Sequence, residues 1–279
     1  MSRRVVPALA PLALATTLGL STALAAPPAS AEGPFPDAKL EAAVRKALKR
    51  APDAALDDEA LRDLYFLEAP AQDIRDLTGL ERCPNLALID LKRNAIADLS
   101  PLKGLKNLQS LDLSGNRIED IAPLANLEKL QYLELSGNAV ESIAPLANLV
   151  NLRSLYLSGN RIEDISPLSG LTHLSSLYLD GNAIADLSPL REVARISTLD
   201  LRDNRIEDLS PLASQTDLRM LFLQGNPVDD LSPLISWAAE DAAGPKRFAP
   251  YLELYLGSLK VPEEQLAKLE EAGVRIHRG

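Results

Sequence analysis

The amino-acid sequence predicts an α/β repeat solenoid: a right-handed curved stack of short coils, with a parallel β-sheet on the concave side and 3₁₀ turns or extended chain on the convex side. Three observations predict it. Asparagines recur every 22 residues, at Asn94, Asn116, Asn138, Asn160, Asn182, Asn204 and Asn226. Prolines hold the same phase seven residues after each, at 101, 123, 145, 167, 189, 211 and 233. Aromatics are only 4% of the 279 residues, beside 20 Pro and 14 Gly, which suits many short elements joined by turns better than one large core built around Phe and Trp. A unit of this size cannot bury its own apolar face, so neighbouring units must stack to form a core.

The elements follow in chain order. Residues 1–25 read as a secretory signal: Arg3 and Arg4 precede an apolar run over 5–20, and Ala23-Leu24-Ala25 offers the small residues that signal peptidase accepts before Ala26. Its removal takes away two arginines and no acid, moving the formal net charge from -10 to -12. Such a chain is repelled by nucleic acid and anionic lipid, and no later stretch is long and apolar enough to span a bilayer. Residues 26–34 form a linker. Residues 35–76 are a helical N-terminal cap and a degenerate first coil: Pro36-Asp37 opens a helix with Leu40, Val44 and Leu48 on one stripe, and a coil over 61–77 carries Gln72 where Asn is expected. Residues 77–234 are the repeats. Residues 235–279 are the C-terminal cap, whose opening helix is drawn from 234 to 243 and stopped by Gly244-Pro245. Leu254-Tyr255-Leu256 adds one strand without its Asn, Pro262 starts a helix that Gly273 ends, and Val274 and Ile276 alternate in an edge strand. With both caps present, the segment is expected to be a whole domain.

Within each repeat the frame LxxLxLxxNxI, clear over 108–118, is the leucine-rich-repeat pattern. LxL is a short strand with its leucines inward, and each coil sets the next strand alongside at roughly 4.8 Å. The Asn amide supplies a donor and an acceptor to backbone groups that the turn would otherwise bury unpaired, which makes the Asn column structural. Only about eight residues separate the Pro from the next strand, too few for a long helix, hence the 3₁₀ turn. Segments such as Asp164-Ile165-Ser166-Pro167-Leu168, with the block from Phe35-Pro36-Asp37-Ala38 to Val44, resemble the internalin-type short leucine-rich-repeat proteins of bacteria over residues 35–279. That resemblance implies an exported recognition module without catalysis. Some members bind host receptors, so a binding role is implied here.

The residues flanking the inward leucines form three outward columns on the concave face. The central one reads Asp90, Asp112, Glu134, Tyr156, Tyr178, Asp200, Phe222, Tyr255. Beside it run a column from Leu88 through Tyr132 to Glu253 and another from Lys92 through Asp180 and Arg202 to Gly257. Five of the 11 aromatics fall on these 24 positions, so aromatics are concentrated where they should be exposed. The expected ligand residues are an aromatic patch of Tyr132, Tyr156, Tyr178 and Phe222, an acidic patch of Asp90, Asp112 and Glu134, and Asp200. Tyr offers large contact area at small entropy loss, which suits an interface core. The alternative for the rings is that they simply cover the sheet, and for the carboxylates a solvated face, a basic partner or a divalent cation.

The expected partner is a protein; the alternative is a carbohydrate or cell-wall polymer stacked on the tyrosines. A monomer in the periplasm or outside the cell is expected, with no nucleic acid, no membrane after signal removal and no cofactor or metal. Nothing points to an enzyme. One Cys excludes a disulfide framework and multi-thiolate metal sites, and His173 and His277 lie 104 residues apart. Cys83 takes the position held by Leu105, Leu127, Leu149 and Leu171, a core thiol, and the concave serines have no His in register to act as base. His173 shares a turn column with Asn107, Lys129, Asn151 and Arg195, and Trp237 packs in the cap helix. Asn-Arg-Ile-Glu-Asp at 116, 160 and 204 alternates with Asn-Ala at 94, 138 and 182, the trace of a duplicated two-coil unit.

Overall fold

The inward leucines do build a sheet one strand at a time. The computed structural model describes residues 33–193, 195–244 and 247–278, Ser214 through its backbone. The expected signal, most of the linker and Pro245 of the expected helix stop lie outside these residues. Among the described residues ten strands form one parallel sheet in chain order. They are Phe66–Glu68 (β1), Leu88–Asp90 (β2), Ser110–Asp112 (β3), Tyr132–Glu134 (β4), Ser154–Tyr156 (β5), Ser176–Tyr178 (β6), Thr198–Asp200 (β7), Met220–Phe222 (β8), Glu253–Tyr255 (β9) and Arg275–His277 (β10). Pairing is in register, so Leu67, Ile89, Leu111 and their successors to Leu254 stack as one fully buried row, and truncating any of them to Ala removes about 2–5 kcal/mol. No described helix is long and apolar enough to cross a membrane.

Opposite the sheet the repeat proline sits in the first turn of 3₁₀ helices such as Ser100–Leu102, Ala122–Leu124, Ala144–Leu146 and Ser166–Leu168, with their leucines buried. The preceding Asp sets each turn. Asp98, Asp120, Asp164, Asp186, Asp208 and Asp230 each accept the amide of the residue two further on, at 2.7–2.9 Å. Hydrogen bonds from the serines they face hold Asp98, Asp186, Asp208 and Asp230 below the usual carboxylate range. Their contribution is therefore complete above that range and lost as pH falls through the lowered values.

The Asn column joins coil to coil. Asn160 Nδ2 donates to Leu157 O at 2.9 Å in its own coil and to Leu135 O at 3.1 Å in the preceding one, while its Oδ1 accepts from Val140 N at 3.0 Å. Asn94, Asn116, Asn138, Asn182, Asn204 and Asn226 repeat this pattern. Gln72 breaks it for a physical reason. Among the described residues no strand precedes β1, so Gln72 has no earlier coil there to bridge and turns its amide to Pro70 O at 3.0 Å.

Both ends are covered. Helix α1, Ala38–Ala47, is capped by Asp37, which accepts from Lys39 N at 2.9 Å and, through its other oxygen, from Arg75 N at 2.8 Å, fastening the helix to the first coil. A short α2, Asp58–Leu61, follows. At the other end α3, Ser232–Ala243, begins two residues earlier than the sequence reading placed it, because the Asp230 turn that elsewhere opens a 3₁₀ helix here leads into an α-helix. Buried Asp241 accepts from Arg247, Phe248 and Ala249 N, each at 2.9 Å. Burial raises its carboxyl, but those amides outweigh it and leave the group below its ordinary value. Trp237 stacks on Phe248 at 3.6 Å, as a packing residue, and α4, Glu263–Glu271, buries Leu266 and Leu269 before β10 closes the sheet.

One core column tests the register. Cys83 is fully buried beside its leucine equivalents, and burial, with Glu81 nearby, pushes its thiol up to about 12. It should resist alkylation at neutral pH until the protein unfolds, and rapid labelling of the native chain would break the register. Gln215 ends the same column, fully buried: its Nε2 donates to Leu190 O at 2.6 Å and its Oε1 has no partner. Leu190 O also accepts from Val193 N at 3.0 Å, so removing the Gln amide does not orphan it. Gln215→Leu restores the column and should stabilise the fold by about 1–2 kcal/mol, read as a higher thermal midpoint; a lower midpoint would contradict this.

Candidate ligand-binding face

Because successive strand residues point to opposite sides, the in-register sheet lines up Glu68, Asp90, Asp112, Glu134, Tyr156, Tyr178, Asp200, Phe222, Tyr255 and His277 on its outer face. The sequence columns stop short of this row at both ends. Phe66 and Glu68 escaped because Ala69 takes the place of the second leucine in the first strand. His277 could have been found, since placing Ile276 inward turns its neighbour outward.

Three zones follow along the face. In the acidic zone Lys92 Nζ lies 2.9 Å from Asp90 and 3.6 Å from Asp112. Each carboxylate also turns to the amide two residues on, Asp90 to Lys92 at 3.2 Å, Asp112 to Ser114 at 3.0 Å and Glu134 to Ser136 at 2.9 Å. Burial raises the Glu134 carboxyl, Asp112 and Asp180 add to it, and the Ser136 hydrogen bonds only partly offset them. No described group of His, Cys, Asp and Glu side chains has the arrangement of a metal site.

The second zone is the tyrosines. Tyr156 and Tyr178 stack with centroids 4.6 Å apart and planes 12° from parallel, while Tyr132 stands 5.4 Å from Tyr156, inclined at 45°. Burial raises the Tyr132 and Tyr156 hydroxyls, so both remain protonated donors at neutral pH. Beside them Ser158 donates to Asp180.

The third zone departs from the expected site. Asp200 is only 1% exposed, and the Arg202 guanidinium holds its carboxylate at 2.5–3.0 Å. Asp200 is thus withdrawn from the ligand-facing surface, and what its coil presents there is Arg202, two residues past the strand, whose Cζ lies 5.5 Å from the Phe222 ring centroid. Asp200 also separates Phe222 from the tyrosine stack. Phe222 instead begins a second one, with Tyr255 at 4.3 Å and His277 a further 4.3 Å on. Tyr255 Oη donates to Glu253 at 2.9 Å, and Arg275 Nη1 reaches the same carboxylate at 3.3 Å.

Elsewhere the tempting residues do structural work. His173 Nδ1 lies 2.9 Å from Val150 O, the contact that Asn151 makes with Glu128 O at 2.8 Å and Asn107 with Pro84 O at 3.0 Å. Arg161 and Arg205 pair with Glu141 and Glu163 at 3.6 and 3.5 Å, all exposed and so of small energetic weight.

Comparison with known proteins bears on the whole stack. The family model described as Leucine Rich repeats (2 copies) matches residues 106–148, 150–192 and 195–236. The crystal structure of internalin C2 from Listeria monocytogenes is 37% identical with a TM-score of 0.70, over 72% of this chain and 89% of that one. An internalin (inlF) from the same organism is 31% identical with a TM-score of 0.79, over 88% and 70% respectively. The plant peptide hormone receptor RGFR1, solved in complex with RGF2, shares the fold at 22% identity and a TM-score of 0.57, over 71% of this chain and 32% of that one. No curated protein gives a significant match.

Proposed function

The chain belongs to the internalin-type leucine-rich-repeat proteins of bacteria, whose fold is that of an interaction module, and on that premise we propose that it binds a protein ligand through the concave face of its sheet. The observation that carries this reading is the stacked pair Tyr156 and Tyr178, half-buried at the middle of the sheet beside the small polar Ser154, Ser158 and Ser176. Their ring faces lie against each other, so edges and hydroxyls are what they offer outward. That arrangement suits the mixed apolar and hydrogen-bonding core of a protein interface. A sugar stacks on a free ring face, and the two faces that meet within this pair are closed to it. Capture from an envelope extract tests the proposal: the wild-type chain should retain a protein that a Tyr156→Ser, Tyr178→Ser variant loses. Retention on immobilised glycan with no protein captured would overturn it.

Export belongs to the same proposal and rests on the Arg pair and the Ala-x-Ala site. Mass spectrometry of the mature protein should find Ala26 first, within a few residues. An intact Met1 on protein recovered from the exported fraction would sink that half of the reading.

A further inference from the structure

The acidic end of the row holds four carboxylates, Glu68, Asp90, Asp112 and Glu134, and among the described residues Lys92 is the one cation paired within it. Lys92 reaches Asp90 and Asp112, and the positions equivalent to Lys92 on the next two coils are Ser114 and Ser136, neither of which brings a cation to Glu134. Among the described residues no Lys, Arg or His pairs with it. Yet Glu134 is half-buried, with Asp112 beside it in register and Tyr156 on its other side. Tyr132 is two residues back on the same face of β4, and its ring and that of Tyr156 incline at 45°, so their faces are not closed on each other as those of Tyr156 and Tyr178 are.

We infer that Tyr132, Glu134 and Tyr156 form a receptor for one basic side chain, Arg or Lys, carried by the protein ligand. The inference rests on the concave-face reading and deepens it. A partly desolvated carboxylate without a counter-ion gains from a cation, and tyrosine faces add attraction for the same group. Lys92 shows the chemistry one strand away, an ammonium held between neighbouring carboxylates of the same row. Beyond Glu134 the Tyr156 and Tyr178 stack continues, so the basic side chain is flanked in the ligand by an apolar contact.

Two short peptides serve as probes in a titration followed by the ring NMR signals of Tyr132 and Tyr156: acetyl-Gly-Arg-Gly-amide and its citrulline counterpart, equal in shape but uncharged. The Arg peptide should saturate, and both the citrulline exchange and Glu134→Gln should weaken it roughly ten-fold, the loss of one charge-assisted contact. Glu134→Gln keeps the acceptor for Ser136 N and should keep the melting temperature. Equal binding of the two peptides, or an unchanged Glu134→Gln, would overturn the inference. Envelope capture separates the two levels: if Glu134→Gln captures the ligand undiminished while the Tyr156→Ser, Tyr178→Ser variant does not, the receptor fails and the concave reading stands. If both variants capture it, both fail.

Discussion

Replacing Tyr156 and Tyr178 together by Ser should weaken ligand binding by several kcal/mol, as hot-spot losses of about 2 kcal/mol or more per aromatic anchor allow. The fold should survive with little change. Their side chains stand on the outer face, away from the buried Leu155 and Leu177 of the same strands, and what the stack itself loses is about 0.5–1.5 kcal/mol. The deciding comparison is affinity against melting temperature. Lost binding with retained melting supports the concave face, whereas a collapsed melting temperature would make the rings structural. Unchanged binding with unchanged melting would move the ligand to another face, and the edge bearing Arg117, Arg161 and Arg205 would be the next to test.

Asn160→Ala should destabilise the protein by about 1–3 kcal/mol, and the contacts say where the cost arises. Leu135 O keeps its bond from Asn138 and Leu157 O keeps its bond from Asn182, at 2.8 and 3.0 Å, so neither carbonyl is orphaned. Val140 N loses the acceptor it has at 3.0 Å and is left inside the stack with none. Asn160→Asp keeps that acceptor but turns its second oxygen onto Leu157 O and Leu135 O, so it should cost at least as much as alanine while ionised and less only where the carboxylate is protonated and can donate. Chemical denaturation followed by circular dichroism measures both. An unchanged midpoint for the alanine variant would contradict the ladder.

The repeat made most of the fold legible. The spacing of Asn and Pro placed the strands, the 3₁₀ turns and the inward leucines, because each position recurs with the same physical duty. Where the duty changes, the pattern falls silent. Ala69 in place of leucine hid the first strand, and Gln72 in place of Asn goes with β1 being the first strand among the described residues. The ligand face was legible as columns but not as contacts. Column membership puts Tyr156 beside Tyr178 and Asp200 beside Phe222, yet it carries no information on ring tilt or on whether a neighbour folds over a side chain. Arg202 closing on Asp200 is such a case, and it turned an expected ligand residue into the support of a cation. Gln215 is a different case: extending the Cys83 column by the same 22-residue step reaches it, so its burial was within reach of the sequence although the reading stopped short of it.

The Asn bonds also settle how the molecule should yield to force. Each one ties a coil only to itself and the coil before it, and each strand pairs only with its neighbours. Tension applied across the described residues therefore finds, along the repeats, no tie reaching further than the weak exposed Arg205–Glu163 pair, which skips one coil, and loads the junctions much alike, like a row of equal springs. Rupture begins at the weaker terminal closure and runs coil by coil, each step freeing 22 residues, or roughly 75 Å of extended chain. Pulled in this way, the protein would act as an extensible tether that lengthens in even steps under a sustained load, and each step would strip one more strand from the surface that holds its ligand.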